Sequence, residues 1–206
     1  MEREIALKEL KKLEGQDLRP LADKYGITVW KDGKPNKGWA GHVMERYLGL
    51  PINSSRSPNF GSWELKQGSL KRLKSGEIKV KETLQITMID AVHVLANPFE
   101  QSHLLTKLKK GVLCVRMFES DSERAILMKV ATFDLDHPDI YAQVKADYEE
   151  VRETIRTKGF KALTGAMGIL VQPRTKGPGH GSTSRAFYAR TGYVAKILGM
   201  EIKESV

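Results

Sequence analysis

The chain has 206 residues, 40% hydrophobic and 29% charged, with 34 Lys and Arg against 25 Asp and Glu and a formal charge of +9. That length fits one domain and buries about 70% of its unfolded surface without a disulfide or metal staple, and the composition excludes a disordered or fibrous chain. No apolar run nears the roughly 18 residues of a membrane span, the start Met1-Glu-Arg-Glu has no signal-peptide core, and a lone Cys114 excludes an intramolecular disulfide, so a cytoplasmic protein is expected.

In chain order, Ile5, Leu7, Leu10 and Leu13 sit at near-helical spacing and predict a helix over 4–13. A second short helix is expected over 18–24, closed by Gly26, then a strand over 27–30 and a turn at Asp32-Gly33. Asn36 is placed to cap a helix over 37–48 whose Ala40, Val43, Met44 and Tyr47 face inward. A short strand over 63–66 and a long one over 78–90 follow, with 70–76 as their hairpin loop. Residues 111–119 and 125–133 predict an antiparallel pair turning at 119–123. Ile140, Val144, Tyr148, Val151 and Ile155 recur every three or four positions and predict a helix stopped by Gly159. The end of the chain reads as a strand over 168–172, a loop over 175–183, an extended segment over 185–188 and a helix over 193–198. This order of strands and helices predicts an α/β or α+β fold, a sheet flanked by helices.

The positive charge is clustered. No acid occurs from 154 to 200, a stretch holding Arg156, Lys158, Lys161, Arg174, Lys176, Arg185, Arg190 and Lys196. A second basic stretch runs from Lys66 to Lys81, with only Glu77 opposing Lys71, Arg72, Lys74 and Lys79. Residues 134–153 are acid-rich and read as a solvated back face. A fold that joined the two basic stretches would make a cleft for phosphates, which raises nucleic acid above a merely basic surface.

The most informative stretch is Pro58-Asn-Phe-Gly-Ser-Trp-Glu-Leu-Lys66. Glu64 and Lys66 lie two apart on a strand and project from one face, while Leu65 points into the core. Such a carboxylate, with the Leu65 carbonyl, can hold Mg²⁺, a hard ion that prefers oxygen. The lysine can orient or deprotonate the attacking water and offset charge on a scissile phosphate. Alone, Glu-x-Lys is also the pattern of a solvated strand face.

The surroundings carry a family resemblance. Pro58-Asn59, followed five residues on by Glu64-Leu-Lys66, resembles in spacing and flanks the motif of the PD-(D/E)xK nuclease superfamily, which places a metal-binding Asp after proline. The segment Gly41-His-Val-Met-Glu-Arg-Tyr-Leu-Gly49 resembles the helix that bears an extra acidic residue in the branch of the MutH and MvaI/BcnI endonucleases. There Glu45 is the accessory carboxylate; read by itself it is a helix-surface glutamate beside a lysine or arginine. Gly177-Pro-Gly-His-Gly-Ser-Thr-Ser-Arg-Ala-Phe-Tyr-Ala-Arg190 and the following residues to Lys196 resemble the DNA-contacting loop and strand near the end of those enzymes. The likeness is densest in 40–67 and 174–197.

This resemblance implies a restriction-endonuclease-like fold, a mixed central β-sheet flanked by helices, with 1–206 as one endonuclease domain holding a DNA-binding cleft. It implies a sequence-specific, Mg²⁺-dependent type II restriction endonuclease, with Mn²⁺ as a substitute, that leaves 5′-phosphate and 3′-hydroxyl ends. Glu64, Asn59 and the Leu65 carbonyl would bind metal, Lys66 would align water and Glu45 would complete the site. Double-stranded DNA would be held by Lys71, Arg72, Arg174, Lys176, Ser182 and Tyr188. His180 and Arg185 would reach base edges, and Arg190 and Lys196 phosphates. The enzyme would act as a monomer, beside a cognate DNA methyltransferase that modifies the same site without necessarily binding it. The loop 177–185 favours a restriction enzyme for a CCNGG-like site over a mismatch-repair nickase.

Asn59 departs from the family pattern. Asparagine keeps an oxygen ligand but loses the charge, which lowers Mg²⁺ affinity and water activation. An inactivating substitution, a natural binding-only protein and a site in which Glu45 and Glu64 suffice all fit; the first is favoured because the rest of the motif is complete. The rival classes are a DNA-binding protein without catalysis and a basic protein for RNA or an acidic partner. His42, His93, His103 and His137 lack zinc spacing, Cys114 reads as a buried hydrophobe, and Trp30, Trp39 and Trp63 read as core anchors.

Overall fold

Three short helices open the chain, each burying one apolar stripe. α1 (Arg3–Lys11) buries Ala6 and Leu10, α2 (Arg19–Lys24) buries Ala22, and α3 (Trp39–Tyr47) buries Trp39, Ala40, Val43 and Met44. The structure, a computed structural model, describes residues 1–31, 34–36, 38–50, 61–119, 124–177 and 183–200. Between α2 and α3, β1 (Trp30–Lys31) and β2 (Lys34–Pro35) form a small antiparallel ladder. Then come β3 (Glu64–Arg72), β4 (Ile78–Val80), β5 (Leu84–Met88), α4 (Ala91–Ala96), α5 (His103–Leu108), β6 (Lys110–Met117) and β7 (Leu127–Asp134). The chain closes with α6 (Pro138–Lys158), β8 (Val171–Thr175), β9 (Arg185–Ala189) and α7 (Thr191–Ile197). These elements form two compact units, Met1–Glu82 with Gly111–Thr132 and Thr83–Lys110 with Phe133–Val206.

The first unit holds a mixed four-stranded sheet in the order β4-β3-β6-β7, with β3 antiparallel to β4 and parallel to β6. One continuous core joins α1, α2 and α3 to one face of this sheet, through Leu10, Leu18, Val43, Met44, Leu65, Val112, Cys114 and Leu127. This is the mixed sheet with packed helices expected from the chain order. The second unit holds an antiparallel sheet in the order β5-β9-β8. α6 packs on it through Tyr148, whose ring lies 5.9 Å from that of Phe187 and whose hydroxyl donates to the Asn97 carbonyl at 3.0 Å. Pro173 is tolerated in β8 because that strand is the sheet edge.

Several expectations change. The strand expected over 78–90 is two strands in different sheets, because the chain crosses from one unit to the other between Glu82 and Thr83. The strand expected over 63–66 runs on to Arg72, so the hairpin turn shrinks to the residues between β3 and β4. The late strand begins at Val171, after a loop tied to α6. Trp39 and Trp63 are core residues, but Trp30 is 48% exposed, and Ile5 points outward while Ala6 takes its place inside. Asn36 does not cap α3 directly: its Oδ1 accepts from the N–H of Gly38, the residue that precedes the helix. The turn at Asp32-Gly33 lies outside the described residues. Among the described residues no helix is long and apolar enough to cross a membrane.

Candidate active site

β3 positions the central pair. Trp63 is 1% exposed and Leu65 lies in the core, so alternation turns Glu64 and Lys66 to the opposite face. Glu64 is 2% exposed, and Lys66 Nζ stands 2.8 Å from its Oε1. A carboxylate so far from water needs a partner, and the ammonium two residues on supplies one; removing either would strand a buried charge. In the parallel register Glu64 faces Gly111, which puts no side chain beside the carboxylate.

α3 packs on the other face of the same strand. A Cβ at Gly41 would lie 3.9 Å from Cβ of Gln67, and the half-buried Glu45 follows one turn later. Glu45 therefore shares a unit with Glu64 and Lys66 and rides on a helix seated against their strand. Asn59, the third expected ligand, lies outside the described residues.

The donors present suit a hard cation. Glu64 offers carboxylate oxygen, and β4 pairs only with residues 70–72 of β3, so no strand among the described residues covers the other edge of β3 along 64–69, where the Leu65 carbonyl lies. Among the described residues no three His, Cys, Asp or Glu side chains gather as a metal site, so a complete ligand set would also draw on Asn59.

The expected DNA-contacting residues divide between the units. Lys71 and Arg72 are exposed at the far end of β3 in the first unit, where Arg72 Nη1 donates to the Gly76 carbonyl at 3.2 Å. The others belong to the second. Arg174 and Tyr188 share one face of the β8–β9 ladder, where the exposed Arg174 donates to Thr83 Oγ1 at 3.0 Å. Arg185 projects from the opposite face, that of Phe187, and Lys176 and Lys196 are exposed. Arg190 is held inward: Nε donates to Gly168 O at 3.0 Å, and Nη2 to the carbonyls of Gly165, Ala166 and Met167 at 3.0, 3.2 and 2.9 Å. A phosphate contact from Arg190 thus falls to Nη1 alone. His180 and Ser182 lie outside the described residues.

Two buried charged residues went unread in the sequence. Asp147 is 2% exposed on α6 and accepts from the N–H groups of Ile169, Leu170 and Val171 at 2.8, 2.8 and 2.7 Å, and from Gln143 Nε2 at 2.9 Å. Lys107 is 6% exposed on α5, between Leu104 and Leu108. The available signal was a charge inside an apolar stripe: Asp147 follows Val144 by three residues, as Lys107 follows Leu104. Cys114 is fully buried, and burial pushes its thiol far above the ordinary range, which makes it inert rather than nucleophilic.

The chain is similar to proteins already known. The family model described as the DNA mismatch repair enzyme MutH matches residues 48–153. The DNA mismatch repair protein MutH of Vibrio cholerae serotype O1 (strain O395) is 28% identical over 209 residues, covering 93% of each chain. That of Shewanella woodyi is 27% identical over 201 residues, covering 89% of this chain and 85% of its own. A solved complex of the restriction endonuclease MvaI with cognate DNA covers 93% of this chain and 95% of its own, with 11% identity and a TM-score of 0.38.

Proposed function

The chain belongs to the MutH family, whose model spans just over half of it, and from that premise we propose that it is a Mg²⁺-dependent, site-specific endonuclease that nicks duplex DNA. The family is one of DNA endonucleases. The observation that carries the proposal is the buried Glu64 with Lys66 Nζ at 2.8 Å on one face of β3. Nicking takes precedence over double-strand restriction because relatives named for mismatch repair match 93% of the chain, whereas the restriction reading rests on the loop 177–185. In this reading the chain acts as a single cytoplasmic, monomeric endonuclease domain. A methyltransferase marks the same site.

Glu64, the Leu65 carbonyl and the residue at 59 would hold Mg²⁺, with Glu45 completing the set. The ion, when bound, would supply Lewis acidity at the scissile phosphate. Lys66 orients the attacking water and, through its charge, opposes the negative charge gathering on phosphorus. Attack in line with the 3′-oxygen leaves a 5′-phosphate and a 3′-hydroxyl. Asn59 removes one negative ligand and is the disabling feature. The test is incubation of supercoiled plasmid with Mg²⁺ or Mn²⁺ and either the chain as it stands or Asn59→Asp. A gain of orders of magnitude in nicking by the Asp form is expected. Tight binding with no cleavage by either would move the protein to the binding-only class.

A further inference from the structure

The first unit concentrates positive charge on a second surface, the face of its sheet opposite Glu64 and Lys66. Ser69 pairs with Arg116 across β3–β6, and Lys71 pairs with Lys79 across β3–β4. Alternation puts these residues on the face of Gln67, against which α3 packs at Gly41, and leaves Lys71 and Lys79 exposed beyond that contact. Lys81 joins them, its N–H donating to the Ser69 carbonyl at 2.8 Å. Two guanidinium groups flank one indole: Arg19 Cζ lies 5.1 Å and Arg116 Cζ 5.5 Å from the Trp39 ring centroid. Lys81 Nζ stands 3.9 Å above the ring of Phe118, which is 39% exposed.

This arrangement works against the unit's own stability. Burial first, and the charge of Arg19 second, push the Arg116 guanidinium below its ordinary pKa, and Glu82 only partly opposes them. Arg116 Nε is buried and donates no hydrogen bond among the described residues. Lys71 and Lys79 are like charges directly opposite one another, a pairing that destabilises a ladder. The acids nearby are loosely placed, with Glu77 3.6 Å from Lys79 and Glu82 3.8 Å from Lys81. Cations held together at a cost, on stacked aromatic supports, are satisfied by an anion with several charges along a line.

We propose that Arg19, Arg116, Lys71, Lys79 and Lys81 form a second nucleic-acid contact, which grips phosphates of a duplex segment other than the one presented to Glu64 and Lys66. This inference rests on the DNA-endonuclease reading. Its test is the salt dependence of binding to a labelled duplex, measured by fluorescence anisotropy across a KCl series. Each phosphate contact contributes about 0.9 to the slope of log K against log salt, so Arg19→Met/Arg116→Met should lower the slope by about 1.8 and Lys79→Gln, at an exposed site, by about 0.9. Arg116→Lys, which keeps the charge, should retain the parent slope while the double Met variant loses part of it, so that the change in slope follows the charge. An unchanged slope in the folded double variant and in Lys79→Gln would overturn this inference alone. A parent chain that bound no duplex at any salt would overturn the endonuclease reading with it.

Discussion

Glu64 in the first unit and Asp147 in the second are both 2% exposed, yet they are spent differently. Asp147 gives its oxygens to three consecutive backbone N–H groups and a glutamine, which saturates it. The same loop is tied from the other side by Arg190, and Gly168 within it sits at φ +72°, where an added Cβ would meet the Val171 carbonyl at 1.8 Å. Glu64 instead faces the Lys66 ammonium and a glycine on the neighbouring strand. A buried carboxylate committed to backbone amides holds a fold, whereas one beside a lysine at a strand edge can exchange its partner for a cation. Burial alone separates neither from the other; the bonding partner does.

Substitutions sharpen this contrast. In a cleaving Asn59→Asp background, Lys66→Met should lower the single-turnover nicking rate by about 10²–10⁴-fold, the usual worth of a positioned acid–base group. Asp147→Ala should leave three N–H groups unpaired, that of Val171 buried and those of Ile169 and Leu170 partly so, and cost about 3–5 kcal/mol; at roughly 2–4 °C per kcal/mol for a chain of this size, a thermal melt would show it plainly. A loss of nicking in folded Asp147→Ala as large as that in Lys66→Met would erase the distinction. Gly168→Ala should destabilise by about 1–3 kcal/mol in denaturant titrations, because a side chain there is both strained and blocked. The smallest effect is alkaline. Burial pushes the Tyr193 hydroxyl from 10.0 up to about 12. The folded form therefore holds that proton after the unfolded chain has released it, and stability present below pH 10 should decline as pH rises towards 12. Tyr193→Phe should flatten part of that decline in urea melts run over this range.

Much of this was legible wherever one pattern persisted over many residues. α6 follows from five apolar residues at a spacing of three and four, and its end from Gly159. β6 and β7 follow from apolar runs on either side of a polar segment, and the turn expected within it lies outside the described residues. α4 and α5 were invisible to periodicity because each is six residues long, although Asp90 and Ser102 cap them through their side chains. The break at 81–83 was hidden because the extended pattern continues while the partner strand changes. Glu64 and Lys66 could be paired from spacing alone, since a strand puts i and i+2 on one face. Arg190 could not, because its four carbonyl acceptors lie more than 20 residues away in a loop whose shape is set by tertiary contacts.

The most direct test compares Asn59→Asp with Asn59→Asp/Glu64→Gln on supercoiled plasmid in Mg²⁺, with EDTA as control. Metal-dependent nicked circles from the first protein and none from the second, both folded by thermal melt, are predicted. Equal nicking by the two proteins would contradict the account, because the buried carboxylate of β3 would then have no part in the chemistry.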